Sequence, residues 1–254
     1  LRRTREHLAK LTAEHLNGGF SADTRPVNMV DFWPKNELDI AHDILFEHSG
    51  LSMEEIKAQM RVTAVDAKRQ IIKSYVGERT NRRQKPGRAL EKAHYSWDIL
   101  CDYGSFRDLS RHRLVDNFTW QELSPRYGYT TPEIIEEAGL SDLFMECFDE
   151  SLKLYGLLQQ TGLGSAAQYA VLFGHRMRWK VTFNAREAFH IMELRTSPQG
   201  HPDYRALVQR MHAMLAEVHP LIGGLMNFVD QGGETGLNRL QAEKLKVEKT
   251  GLRA

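Results

Sequence analysis

The run from Ala93 to Tyr103 constrains the fold of this chain more than any other. Ala93, Tyr95, Trp97, Ile99, Cys101 and Tyr103 alternate with Lys92, His94, Ser96, Asp98 and Asp102. A period of two is that of a strand with one buried face, and only Leu100 interrupts the polar side before Gly104 ends the run. A second alternation closes the stretch from Tyr169 to Phe183, where Met177, Trp179, Val181 and Phe183 oppose Arg176, Arg178, Lys180 and Thr182. Val27 to Trp33 reads as a first strand, stopped by Pro34.

Helical spacing fills much of the rest. Ile40, Ala41, Ile44 and Leu45 follow Glu37, and Leu51, Met53, Ile56 and Met60 follow Gly50 with Ser52 as N-cap. Helices are also predicted over Val65 to Val76, from Pro132 as N1, over Leu143 to Gln160, from Asn184 as cap through Ala188, Ile191, Met192 and Leu194, and from Asp203 to near Gly232. NRRQKPGR at 81–88 reads as a turn, SFRDLSRHR as a short connecting stretch, and 114–132 as a loop. The expected organisation is a lead-in helix and linker over 1–27, one domain over 28–232, and a solvated tail over 233–254. Strands interspersed irregularly with longer helices predict an α+β (loosely α/β) fold: a central, mostly antiparallel sheet with flanking helices.

Composition narrows the function classes. At 254 residues, with 26% charged and 41% hydrophobic side chains, the chain has an ordinary globular balance rather than that of a disordered one. Lys+Arg 34 against Asp+Glu 33 gives no bulk charge for coating nucleic acid. The absence of a long apolar run argues against a membrane partner or an export signal. Cys101 and Cys147 form no CxxC pair, so neither a disulfide framework nor a cysteine-built zinc site is expected, and a reducing, cytoplasmic location is. The start at Leu1, without methionine, fits a trimmed chain or a piece of a longer one.

Arginine concentrates in two places. Arg111, His112 and Arg113 are followed by Glu122, Ser124 and Arg126 in QELSPRY, while Asn184, Arg186, His190 and Arg195 lie on or at the start of one predicted helix. The planar, permanently charged guanidinium recognises phosphate as a fork and stacks on flat rings. Arg111 and Arg113 flank one residue and so point apart, and 186, 190 and 195 cannot share one helix face. Asn184 at the helix edge would leave amides for an anion. Ser124 lacks a nucleophile-elbow context, and Cys101 falls on an apolar face. Glu187 and His190 form an E-x-x-H, but the other such pair, Glu91 and His94, falls at a strand start, so no metal site is expected. Neither a G-x-G-x-x-G nor a P-loop occurs.

FRDLSRHR followed by QELSPRY resembles the signature of the flavin-dependent thymidylate synthases, and FNAREAFHIMELR at 183–195 resembles that family's segment in which Asn-Ala-Arg begins a helix ending in Leu-Arg. The resemblance covers about residues 27–230. It implies the family's sheet with flanking helices and a homotetramer with active sites between subunits. It implies reductive methylation of dUMP to dTMP, with methylenetetrahydrofolate as carbon donor, FAD as hydride carrier and NADPH as reductant. By the same resemblance, Arg111, His112, Arg113, Asn184, Arg186, His190 and Leu194 meet the flavin. Asp108, Arg111, Glu122, Ser124, Arg126, Gln168 and Arg195 meet the nucleotide, with Arg195 and Ser124 closest to the chemistry.

The chain departs from the family pattern in places. Ten residues, Leu114 to Leu123, stand between RHR and Ser124 where the family has seven. Gln121 replaces an asparagine, Asp108 a glutamine, Gln168 an arginine of the nucleotide site, and Gln199 a flavin-contacting histidine. These departures keep open a second reading, a catalytically altered or silent paralogue, one half of a duplicated chain, that binds flavin or nucleotide and completes a partner's site. A third, a nucleic-acid binder using NRRQKPGR and SRHR, rests on local charge alone.

Overall fold

A computed structural model of the protein describes residues 2–16 and 21–232, together with Lys244. Strands β1 (Val27–Trp33), β2 (His94–Asp102), β3 (Asn117–Trp120) and β4 (Arg176–Asn184) form one sheet, in the order β1-β2-β4-β3. Every pairing is antiparallel. The helices are α1 (Arg2–His15), α2 (Ile40–Phe46), α3 (Met53–Val62), α4 (Val65–Val76), α5 (Tyr103–Leu109), α6 (Glu133–Glu137), α7 (Ser141–Gln160), α8 (Ala185–Arg195), α9 (Pro202–Val218) and α10 (Pro220–Gly224). The fold is therefore α+β, and the expected tail over 233–254 lies, apart from Lys244, outside the described residues.

The two alternating runs are the two central strands. β2 and β4 pair continuously from His94↔Asn184 to Asp102↔Arg176, which puts Tyr95, Trp97 and Ile99 on the same buried face as Met177, Trp179, Val181 and Phe183. Helices α4, α8 and α9 pack on that face through Ile72, Val76, Ala188, Ile191, Met192, Leu207, Val208 and Met211. The other face is polar but not bare: Ser96 Oγ lies 2.8 Å from Thr182 Oγ1, and Arg178 Nε donates to Asp98 Oδ1 at 2.9 Å. Arg178 also donates to the Asp23 carbonyl, which ties the end of the lead-in segment to the sheet.

Caps behave as the side chains dictate. Ser52 and Glu55 form a reciprocal capping box on α3, and Asn184 Oδ1 accepts from Glu187 N at 2.9 Å to start α8.

Four expectations need correction. SFRDLSRHR is not an irregular link: residues 103–109 form α5, because Asp102 Oδ1 caps Ser105 N at 2.6 Å and Phe106 and Leu109 bury one face. Arg111, His112 and Arg113 thus follow a helix rather than a strand. Within the expected loop 114–132 lies β3, an edge strand whose pairing with β4 from Asn117↔Thr182 to Trp120↔Trp179 supplies what four residues of pattern could not. Pro132 is the N-cap of α6, not its first residue. The last helix is two, since Pro220 cannot continue the ladder; Glu37 caps the second, accepting from Leu221 N and Ile222 N, both at 2.9 Å.

Candidate active site

The sheet register fixes where the two motifs go. Asp116 N bonds to Thr182 O and Gln121 N to Arg178 O, so β3 runs from the C-terminal end of β4 towards its N-terminal end. The Arg-His-Arg triplet, just before β3, therefore lies at the end of β4 where α8 begins. The loop with Glu122, Ser124 and Arg126 lies at the opposite end, beside Arg176, whose Nε donates to Tyr127 O at 2.8 Å. Four strand residues at about 3.3 Å each separate the two motifs within one chain.

At the first end His112 is turned inward. Its Nδ1 lies 3.2 Å from Glu187 Oε1, and its Nε2 accepts from Arg195 Nε at 2.9 Å. Arg195 also donates through Nη2 to the Asp108 carbonyl at 2.5 Å and lies 5.5 Å over the Tyr204 ring, while its Nη1 has no partner among the described residues. His190 meets His112 edge-on, with ring centroids 5.3 Å apart. Burial lowers the His190 pKa, against the pull of Glu187, and the positive charges of Lys85 and Arg195 lower it further. Ligand-type atoms of His112, Glu187 and His190 lie within 4.8 Å of one another, a metal-like grouping that adds His112 to the E-x-x-H pair the sequence showed. Both nitrogens of His112 are nevertheless engaged, one by a cation, so the grouping is held by its own hydrogen bonds.

The flanking arginines differ in availability. Arg111 is exposed, with its Nε 3.8 Å from Asp108 Oδ1, and Arg113 is exposed with no ion pair among the described residues. Arg186 faces elsewhere, donating to Pro86 O at 2.9 Å and to Glu91 Oε1 at 3.4 Å. The expected split of the α8 side chains between faces is thus present. Asn184 already spends its amide oxygen on the helix cap, Leu194 is half-buried, and Gln199 is exposed.

At the second end, Gln121 Oε1 accepts from both Arg126 Nη2 (2.6 Å) and Tyr127 Oη (2.8 Å). Gln168 Oε1 accepts from Leu123 N at 3.4 Å, and its Nε2 donates to Ser165 O at 3.5 Å, so Gln168 braces the serine loop. It lines a cavity of about 360 Å³ with Tyr103, Leu123, Tyr169 and Phe173. Ser124 Oγ is buried with no hydrogen-bond partner among the described residues, and Glu122 is exposed. A buried hydroxyl left unpaired costs about 1–3 kcal/mol.

Cys101 is not a nucleophile in waiting. Burial pushes its thiol up to about 12, and its sulfur accepts from Trp179 Nε1 at 3.3 Å. Sequence reasoning met Gln121 only as a departure from the family motif and Glu187 only through its E-x-x-H spacing with His190, and it missed Lys85, whose charge acts on His190.

Known proteins share this arrangement of chain. The structure of a UMP/dUMP methylase, PolB, from Streptomyces cacaoi, bound with 5-bromo-dUMP, superposes with a TM-score of 0.62 at 17% identity, over 79% of this chain and 93% of that one, and so has the same fold. A UPF0159 protein of Thermoplasma acidophilum is 37% identical over 174 residues, 68% of this chain and 34% of its own length. Another from Chlamydia pneumoniae is 31% identical over 224 residues, 88% of this chain and 42% of its own. The chain thus spans between a third and a half of these curated relatives. Residues 28–221 match the family described as thymidylate synthase complementing protein, a stretch that contains every candidate residue above, and the chain belongs to that family.

Proposed function

We propose that the chain methylates a uracil nucleotide reductively, converting dUMP to dTMP with FAD, NADPH and methylenetetrahydrofolate, in sites completed by a second copy within a homotetramer. One observation carries the reading: Arg195 Nε bonds to His112 Nε2, which joins the Arg-His-Arg and Asn-Ala-Arg segments through side chains, with Arg195 Nη1 unpartnered among the described residues. The solved methylase of the same fold was bound with a dUMP analogue, which supports a nucleotide of that class here. The unpaired, buried Ser124 Oγ suits a phosphate oxygen, and Arg126 beside it adds charge.

A flavin fits the residues present. Exposed Arg111 and Arg113 offer guanidinium forks to its phosphates, and the half-buried His190, with Leu194, offers a flat and an apolar contact. When bound, such a cofactor supplies the reducing equivalents, and the chain supplies orientation and charge. A reaction carried by bound cofactors and oriented by the chain calls for no serine or cysteine nucleophile.

The separation of the motifs along β3 supports a site between copies, because four strand residues at about 3.3 Å each stand between the triplet and the serine loop of one chain. An exposed apolar surface on α7 and the segment after it, including Leu152, Leu157, Leu163 and Tyr169, is suited to contact between copies.

The second reading, a paralogue that binds but does not turn over, is favoured by Gln168, which stands where the family's pattern has a cation and spends its amide on the loop. The two separate in one assay. A yellow flavin spectrum with dUMP-dependent release of tritium from dUMP labelled at C5 is expected for the enzyme. A flavin spectrum without tritium release identifies the silent paralogue, and salt-sensitive RNA binding with no flavin overturns both.

A further inference from the structure

Glu187 sits in the first turn of α8, only 4% exposed, with its backbone N–H bonded to Asn184. Its carboxylate reaches the Nδ1 side of His112, itself 8% exposed. On the other side of that ring stands Arg195, about two helical turns further along. A guanidinium can only donate, so a bond from Arg195 Nε requires a lone pair on His112 Nε2. A neutral imidazole with that lone pair carries its proton on Nδ1, and Glu187 is the acceptor that faces it.

We propose that Glu187 is a positioning residue: it fixes His112 as the Nδ1–H tautomer, and the imidazole in turn holds Arg195 with Nη1 open to the substrate. Without the carboxylate, the buried Nδ1–H has no acceptor and the opposite tautomer gains. That tautomer sets Nε2–H against Arg195 Nε–H, donor against donor, and releases the guanidinium to its remaining anchor, the Asp108 carbonyl. The groups around the ring are Glu187, His190 and Arg195 from α8 and Asp108 from the end of α5, with Lys85 of the basic turn close enough to act on His190. Glu187 is the only acid among them whose carboxylate bonds the ring.

The proposal rests on the nucleotide-site reading of Arg195 only for what Nη1 meets, so its test begins without nucleotide. In ¹⁵N-labelled wild-type protein the His112 signals, assigned by their loss in His112→Gln, are expected to show the Nδ1–H form, and Arg195 Nε–H is expected to exchange slowly with water. An Nε2–H or doubly protonated His112 in the wild type overturns the proposal without any variant of Glu187. Glu187→Ala is expected to lose the Nδ1–H pattern and the slow Arg195 signal. Glu187→Gln, whose amide oxygen still accepts, is expected to keep both. Equal loss in the two variants, or no change in a folded Glu187→Ala, overturns it. With dUMP as probe, Glu187→Ala should bind about tenfold more weakly while Glu187→Gln stays within about threefold. If wild-type protein binds no dUMP yet shows the predicted tautomer and slow arginine, the positioning role stands and the nucleotide reading fails.

Discussion

Arg79 and Glu193 form a two-pronged ion pair with side chains only 3% and 0% exposed, Arg79 Nη1 meeting Glu193 Oε1 at 2.6 Å. The same guanidinium donates to Gln84 O and lies 5.0 Å from the Phe189 ring centroid. It therefore pins the basic turn at 81–88 to α8, and with it Lys85, whose charge reaches His190. Glu193→Ala leaves a buried cation unpaired and should cost about 3–5 kcal/mol in urea unfolding. Arg79→Met with Glu193→Leu should cost much less, since neither charge is then buried alone. A loss under about 1 kcal/mol for Glu193→Ala would show that water reaches the pair.

Ser124 should separate affinity from stability. Its buried Oγ has no hydrogen-bond partner among the described residues to lose, so Ser124→Ala should be at least as stable as the wild type, by up to about 1–3 kcal/mol. Nucleotide affinity should fall about tenfold for one lost phosphate contact, with turnover still measurable, because the hydroxyl positions rather than attacks. Abolished chemistry at unchanged dUMP affinity would contradict this division of roles.

Arg195→Ala and Arg126→Ala should each raise the dUMP KM strongly, by about 1.5–3 kcal/mol per charged contact. Sites that draw Arg195 from one copy and the serine loop from another, as proposed, predict that the two impaired variants complement each other. Unfolding and refolding them together should regenerate intact sites and part of the activity. If the mixture stays as inactive as its components, the site does not draw on two copies.

Acid should destabilise the protein in a defined window. Burial holds His175, His190 and His219 below the usual imidazole value. His219 is the most enclosed of these, with Nδ1 2.7 Å from the Tyr95 hydroxyl and Nε2 2.8 Å from Pro34 O. Above the unfolded value of about 6.5 these groups are neutral in both states and stability is flat. As pH falls below that value the unfolded chain binds protons the folded one refuses, so stability drops, and the drop ends once the folded groups also protonate. The slope is at most about 1.4 kcal/mol per pH unit per histidine. His219→Gln should make the fall of Tm from about pH 6.5 to about pH 5 shallower, and an unchanged slope would assign it to other groups.

Much of this fold could be read from short-range pattern. The alternation around Trp97 and Trp179 marked both central strands, and Ser52 and Asn184 marked helix starts, because strand faces and caps are written in neighbouring residues. β3 escaped, since four edge residues with only Phe118 half-buried carry too little pattern, and its existence depends on β4. α5 could have been read from Asp102 as cap with Phe106 and Leu109 three apart, a spacing overshadowed by the basic residues around it.

The sequence by itself determined the family, through RHR, Ser124 and the Asn-Ala-Arg helix, along with the strand faces and the inertness of Cys101. Only the tertiary structure decided that His112 turns inward to Glu187 and Arg195, that Arg186 faces Pro86 and Glu91, and that the serine loop lies at the far end of β4 from the triplet. The physical reason is range. Periodicity and capping act over a few residues, whereas a histidine's tautomer and an arginine's aim are set by groups dozens of positions away, brought close only when the sheet fixes its register.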